Sequence, residues 1–323
     1  MAKQRKKKNR VGALGVVLSL VLTLTLSALA AAGLYFWGDS RPEPVSLREG
    51  GAAEPTLVSL YVPPAAVENP APTAAEASAP EVEAYDPYDL DEIIVQEDGL
   101  TVARVTGKLF TGFLTIVDDP LRVTLGRCPA FGDNFHGRTV AEMANEYGAV
   151  LAVNGGGFLD PGGAGNGGVP TGNVVYNGQL FYGYWSPTVG MDAAGKLHVG
   201  EFSGDVCLQR GLQWAVSYGP TLIVDGQIRA PLDTTIEEPR TAIGQREDGA
   251  IIILTLAGRQ ASALGVTCYD LARIMAGFGA VNASNLDGGA SSDLYYNGSY
   301  LNVRNSSGSP RPIPTAVLVM PAA

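Results

Sequence analysis

Apolar residues in this chain fall into short runs, and the runs are separated by Asn-Gly and Asp-Gly pairs. Asn177-Gly178, Asp225-Gly226, Asp248-Gly249 and Asn297-Gly298 each lie between apolar or alternating segments, where such pairs supply the positive φ angles of type I′ hairpins. Strands therefore dominate the expectation. Helix signals are fewer: Thr139 with Glu142 three residues later forms a capping box that opens a helix stopped by Gly148, and Thr267 with Asp270 opens another that fades at Gly277. The pattern predicts an α+β fold, a mainly antiparallel or mixed β-sheet carrying a few helices.

The N-terminal part has a different pattern. Lys3, Arg5, Lys6, Lys7, Lys8 and Arg10 precede an uncharged stretch from Val11 to Trp37, long enough to cross a hydrocarbon core of about 30 Å as a helix. The basic end marks the cytoplasmic side. Ala28-Leu29-Ala30 resembles a signal-peptide cleavage site, but the apolar run continues through Leu34-Tyr35-Phe36-Trp37, which favours an uncleaved signal anchor. Residues 38–84 are rich in Pro, Ala and Glu without patterned hydrophobicity, the composition of a disordered tether. Leu57 to Val62 could form an isolated short strand there, with proline following and no evident partner. The expected order is a cytoplasmic segment (1–10), a single transmembrane anchor (11–37), a tether (38–84) and one extracellular catalytic domain (85–323).

Charge narrows the partners. The whole chain carries a net −10, from 22 basic and 32 acidic residues; without the six basic residues before Val11 the balance is 16 against 32, or −16. Nucleic acid is excluded as an expected partner. Cys128, Cys207 and Cys268 form no Cys-x-x-Cys or Cys/His cluster, so they are expected to be buried free thiols, with Cys128 and Cys207 as the pair if a disulfide forms.

Several chemistries fail on spacing. Gly163-Ala-Gly165-Asn-Gly167-Gly168 matches the dinucleotide fingerprint formally, yet a strand-like run rather than an opening helix follows, so a loop over the site is expected instead. No Gly-Lys-Ser/Thr phosphate loop occurs. A serine hydrolase using Ser291 or Ser292 lacks a Gly-x-Ser-x-Gly elbow, and only His136 and His198 are available as a base. His198 reads as a strand residue, while His136 precedes the first helix within reach of a cleft.

Two glycine-rich segments remain. Asn154-Gly155-Gly156-Gly157-Phe158 ends an apolar strand, and Asn285-Leu286-Asp287-Gly288-Gly289-Ala290-Ser291-Ser292 follows the second helix; between them lies the isolated arginine of Pro239-Arg240-Thr241-Ala242-Ile243-Gly244. With Pro170-Thr171-Gly172 and Gly258-Arg259, this order resembles the phosphodiester glycosidase family from about Leu100 to the C-terminus. Ala290 departs from a common third glycine and Gly157 from a common second aromatic.

The resemblance implies hydrolysis of a glycosyl-1-phosphodiester bond, releasing a sugar from a phosphodiester-linked envelope glycan. Asp287 would be the catalytic carboxylate, Arg240 the phosphate clamp and Asn154 a third catalytic group. Gly155, Gly156, Asp160, Thr171, Gly172, Thr241, Asn285, Gly288, Gly289, Ser291 and Ser292 would bind substrate. Against this stands a plainer reading of Arg240 as a strand-end arginine paired to Glu237 or Glu238, with Arg259 and Asp293 pairing nearby and Glu142 consumed by its cap. Asp160 is the preferred second acid, ahead of Asp133. No cofactor is required, though Asp287, Asp160 and Asn154 could bind a hard cation through oxygen. The alternative function is a non-catalytic extracellular polysaccharide-binding module, which would not need Asp287 and Arg240 to converge.

Overall fold

The computed structural model describes residues 88–259, 263–302 and 309–322. The expected cytoplasmic segment, anchor and tether, with the short strand around Leu57 to Val62, lie outside the described residues. Among the described residues no helix is long and apolar enough to cross a membrane.

Among the described residues every strand pairing is antiparallel. Numbered in chain order, the largest sheet has eight strands, β1 (Tyr88–Glu97), β2 (Leu100–Gly107), β3 (Thr111–Val117), β14 (Ile251–Leu256), β13 (Arg240–Arg246), β15 (Ala280–Asn285), β11 (Thr221–Val224) and β12 (Gln227–Ile228), in that spatial order. A second sheet runs β7 (Gln179–Tyr182), β6 (Val174–Tyr176), β10 (Leu212–Ser217), β8 (Ser186–Asp192) and β9 (Leu197–Phe202). The third runs β17 (Ser299–Tyr300), β16 (Leu294–Tyr296), β5 (Leu151–Asn154), β18 (Thr315–Val319) and β4 (Val123–Arg127).

One hydrophobic cluster joins all three sheets: Val102, Phe113 and Ile253 come from the first, Val174 and Trp214 from the second, Val153 and Val317 from the third. β14 explains its own sequence. Ile251 and Ile253 enter that shared core, whereas Ile252, Leu254 and Leu256 on the opposite face pack under a helix, so both faces need apolar side chains.

Among the described residues three α-helices pack on the sheets. α1 (Val140–Tyr147) has the expected capping box, with Thr139 N–H donating to Glu142 Oε2 at 2.7 Å, and ends at Gly148 in the left-handed region. α2 (Gly204–Gln209), capped by Ser203, carries no signal that the sequence reading used. α3 (Cys268–Gly277) is capped by Thr267 and buries Leu271, Ala272 and Met275 against the large sheet.

All four Asn-Gly and Asp-Gly pairs connect hairpin strands. Three place both residues at positive φ as type I′ turns require, but at Asp248-Gly249 only Gly249 does so, at 92°, within a longer connection. Asp98-Gly99, with φ of 48° and 68°, makes a further turn of this kind between β1 and β2. All three cysteines are buried free thiols, as expected, so Cys128 and Cys207 do not pair, and burial pushes the Cys207 thiol up to about 11.

Candidate active site

The ends of strands from all three sheets meet at one place. Asn154 closes β5, Ser217 closes β10, Asn285 closes β15, and Arg240 opens β13. Asn154 is fully buried and its amide is spent inside the protein: Nδ2 donates to the Asp287 carbonyl, while Oδ1 accepts from Thr241 Oγ1 at 2.8 Å and from the Asp293 N–H at 3.3 Å. Direct substrate contact through Asn154 is therefore corrected to a positioning role, and the same holds for Thr241, buried behind it. The Asp287 N–H donates in turn to the Gly155 carbonyl at 3.1 Å, so the two glycine-rich segments are laced together.

Asp287 is half-buried, yet the protein surrounds its carboxyl densely enough that burial pushes the pKa up to about 6. The Ser291 hydroxyl, the Gly288 N–H at 2.9 Å and the charge of Arg311 oppose that shift, and the charge of Asp160 adds to it. Ser291 stands close enough to stabilise the carboxylate without reaching well-formed hydrogen-bond geometry. Asn285 Oδ1, Ser291 Oγ and Ser292 Oγ, all in this octet, are buried oxygens without a hydrogen-bond partner among the described residues.

Arg240 is buried and pairs with no carboxylate; its Nε donates to the Val266 carbonyl at 3.3 Å and Nη2 to the Ile236 carbonyl at 3.1 Å. Glu238, the rival partner, is taken by Arg259 at 2.9 Å. The plainer strand-end reading of Arg240 thus gives way to a buried guanidinium that touches no carboxylate among the described residues, with the charge of Asp233 within electrostatic reach, an arrangement that an anion in direct contact would stabilise. Gly288, the neighbour of Asp287 in the chain, packs against this segment: a Cβ there would lie 2.9 Å from the Pro239 carbonyl oxygen, too close without a backbone shift, and 3.8 Å from Arg240 Cδ, in ordinary contact.

The remaining residues divide between the rim and the frame. Asp160 Oδ2 stands 2.7 Å from Arg311 Nη2, and Oδ1 accepts from Gly165 N–H at 2.7 Å. Burial raises its pKa, but Arg311 and Gly165 outweigh that and hold it below the usual carboxylate range, so Asp160 stays ionised and cannot serve as the second acid. Asn285 donates to the Gly219 carbonyl at 2.8 Å, Thr171 N–H to the Gly157 carbonyl at 2.8 Å, and Gly172 packs against Ser217 and Ser186. Gly156 N–H is held by Thr315 Oγ1 at 3.0 Å. The Gly289 N–H is used by the Pro239 carbonyl, and Ser292 accepts from Asn302 through its carbonyl.

His136 is exposed, and His198 pairs with Asp192 at 2.8 Å; neither hydrogen-bonds to Ser291 or Ser292 as a base would. Among the described residues no three His, Cys, Asp or Glu side chains converge; of the groups named for a cation, Asn154 Oδ1 is engaged by Thr241 and Asp160 by Arg311, whereas Asp287 accepts from the Gly288 N–H. Two residues of the site escaped sequence reading. Arg311, between Pro310 and Pro312, pairs with Asp160 and places its charge within electrostatic reach of Asp287, and Tyr218 follows β10 without any motif around it.

The family profile described as phosphodiester glycosidase matches residues 147–320, which span the glycine-rich segments, Arg240 and Arg311. The chain belongs to the phosphodiester glycosidase family. This family member is 32% identical over 178 residues to the SPbeta prophage-derived uncharacterized protein YomE of Bacillus subtilis (strain 168), a match covering 51% of this chain and 27% of that protein. It is 28% identical over 222 residues to the N-acetylglucosamine-1-phosphodiester alpha-N-acetylglucosaminidase of Mus musculus, covering 61% of this chain and 42% of the mouse protein. The match thus spans less than half of either relative. Its fold is similar to that of the zebrafish enzyme's catalytic domain auto-inhibited by its pro-peptide, with a TM-score of 0.58 at 22% identity over 72% of this chain and 87% of that one.

Proposed function

We propose that this phosphodiester glycosidase family member hydrolyses a glycosyl-1-phosphodiester bond and releases a sugar from a phosphodiester-linked glycan of the cell envelope. The observation that carries this reading is the buried, carboxylate-free Arg240 packed beside Gly288, the chain neighbour of the half-buried Asp287. A planar guanidinium offers paired donors to phosphate oxygens and stays charged at any relevant pH. A carboxyl with a pKa of about 6 is ionised at neutral pH in surroundings poor in water, where it stabilises positive charge strongly.

Cleavage separates the anomeric carbon from the oxygen it shares with phosphorus. Positive charge grows on the sugar, faced by Asp287, while the departing phosphate monoester carries negative charge toward Arg240. That leaving group is weakly basic, so it departs without a strong general acid. Water completes the reaction, adding hydroxyl to carbon and its proton to solvent or to the carboxylate. The proton-donating acid of ordinary glycosidases is dispensable on this account, and Asp160, held ionised by Arg311, is not called on to donate a proton.

The substrate's place in the envelope belongs to the same proposal. Residues 11–37 would anchor the chain as a single membrane span, with the catalytic domain outside and its glycan substrate within reach. The test is to incubate purified full-length protein with a panel of sugar-1-phosphodiesters, with and without chelator, and measure reducing sugar. Release from at least one member supports the proposal. Release from none, with polysaccharide binding retained, would favour a non-catalytic binding module.

A further inference from the structure

Ser217-Tyr218-Gly219 crosses the site between the two glycine-rich segments and is held on both sides. Gly157 N–H donates to the Ser217 carbonyl at 2.9 Å, Gly219 N–H donates to the Asn285 carbonyl at 3.2 Å, and the Asn285 amide donates to the Gly219 carbonyl at 2.8 Å. The Tyr218 ring rests on Gly157. A Cβ at that glycine would stand 2.6 Å from Tyr218 Cδ2 and 2.7 Å from Thr171 Oγ1, so any side chain there would displace the ring. Pinned this way, the residue still keeps 43% of its surface open.

The phenol is placed by charge as well as packing. Burial first, and then the negative charge of Asp287, push its pKa up to about 12, while Arg240 pulls it the other way; both charged groups therefore lie within electrostatic reach of the hydroxyl. Its hydroxyl hydrogen-bonds to no described residue. A rigid ring with an open face and a protonated, unengaged donor thus stands beside a carboxylate and an unpaired guanidinium.

We propose that Tyr218 is a substrate-binding residue of this site: its hydroxyl donates to an oxygen of the phosphodiester that Arg240 clamps, and its ring bounds the space for the sugar. The proposal rests on the glycosyl phosphodiester reading above and adds the group that couples phosphate recognition to sugar placement. No proton is transferred. A phenol that stays protonated throughout the physiological range adds donor capacity without adding charge, so it strengthens with the negative charge gathering on the leaving phosphate.

The test titrates full-length wild type, Tyr218→Phe and Arg240→Ala with a non-hydrolysable sugar-1-phosphonate and, separately, with the free sugar, using calorimetry. Phe keeps the ring on Gly157, so thermal stability should be unchanged while phosphonate affinity falls about 10-fold or more, the effect of losing a hydrogen bond to a charged group. Free-sugar affinity should not change in Tyr218→Phe. Equal phosphonate binding by wild type and Tyr218→Phe, with Arg240→Ala impaired, would overturn the role of Tyr218 and leave the parent reading standing. Absence of phosphonate binding by wild type would overturn both.

Discussion

Because burial pushes the Asp287 carboxyl up to about 6, its ionisation works against the fold. The unfolded-state value is about 3.9, so the folded protein holds this proton more tightly, and the stabilising contribution present at acid pH is lost as pH rises toward 6. Asp287→Asn removes that penalty. At pH 7.5 its unfolding free energy should exceed that of wild type by on the order of 3 kcal/mol, with a correspondingly higher melting temperature, and the gap should close near pH 4. Turnover should move the opposite way, falling on the order of 100-fold or more, since the lost charge matters mainly in the transition state. A wild-type pH–rate profile should show an acid limb with a midpoint of about 6. Arg240→Ala should fail differently, with binding weakened by about 2 kcal/mol because its anion is already present in the ground state. Normal turnover in Asp287→Asn would remove the carboxylate from the mechanism.

At the scale of elements, local signals were legible and long-range ones were not. The capping box at Thr139, the stop at Gly148 and the four Asn-Gly and Asp-Gly turns each depend on residues a few positions apart, and each lies where expected. α2 was hidden, being short and capped by a lone serine without a reciprocal acid. Asn154 was found by its motif, yet its role was not, because its partners Asp287 and Thr241 are more than eighty residues away in sequence. Arg311 and Tyr218 were missed for the same reason: what makes them part of the site is where other strands end. Asn154→Ala should leave buried donors and acceptors unpaired, lowering stability by about 3 kcal/mol and turnover with it, measurable by denaturant unfolding and assay on folded protein. Thr139→Ala, by contrast, should cost about 1 kcal/mol and leave turnover untouched.

For the whole molecule, the sheet-rich fold was readable from the turn pairs and motif order, whereas the three-sheet junction that brings the Asp287 and Arg240 segments together was not. Topology remains a proposal with its own test. Protease added to wall-stripped cells should remove the catalytic domain, and protection of that domain would contradict an extracellular location. The central claim is narrower: the bond broken is the one between anomeric carbon and oxygen, with Asp287 on the sugar side and Arg240 on the phosphate side. Hydrolysis in heavy-oxygen water reads this directly from the released phosphate monoester. The account predicts that this phosphate carries no solvent oxygen; a labelled phosphate would mean attack at phosphorus and would contradict it.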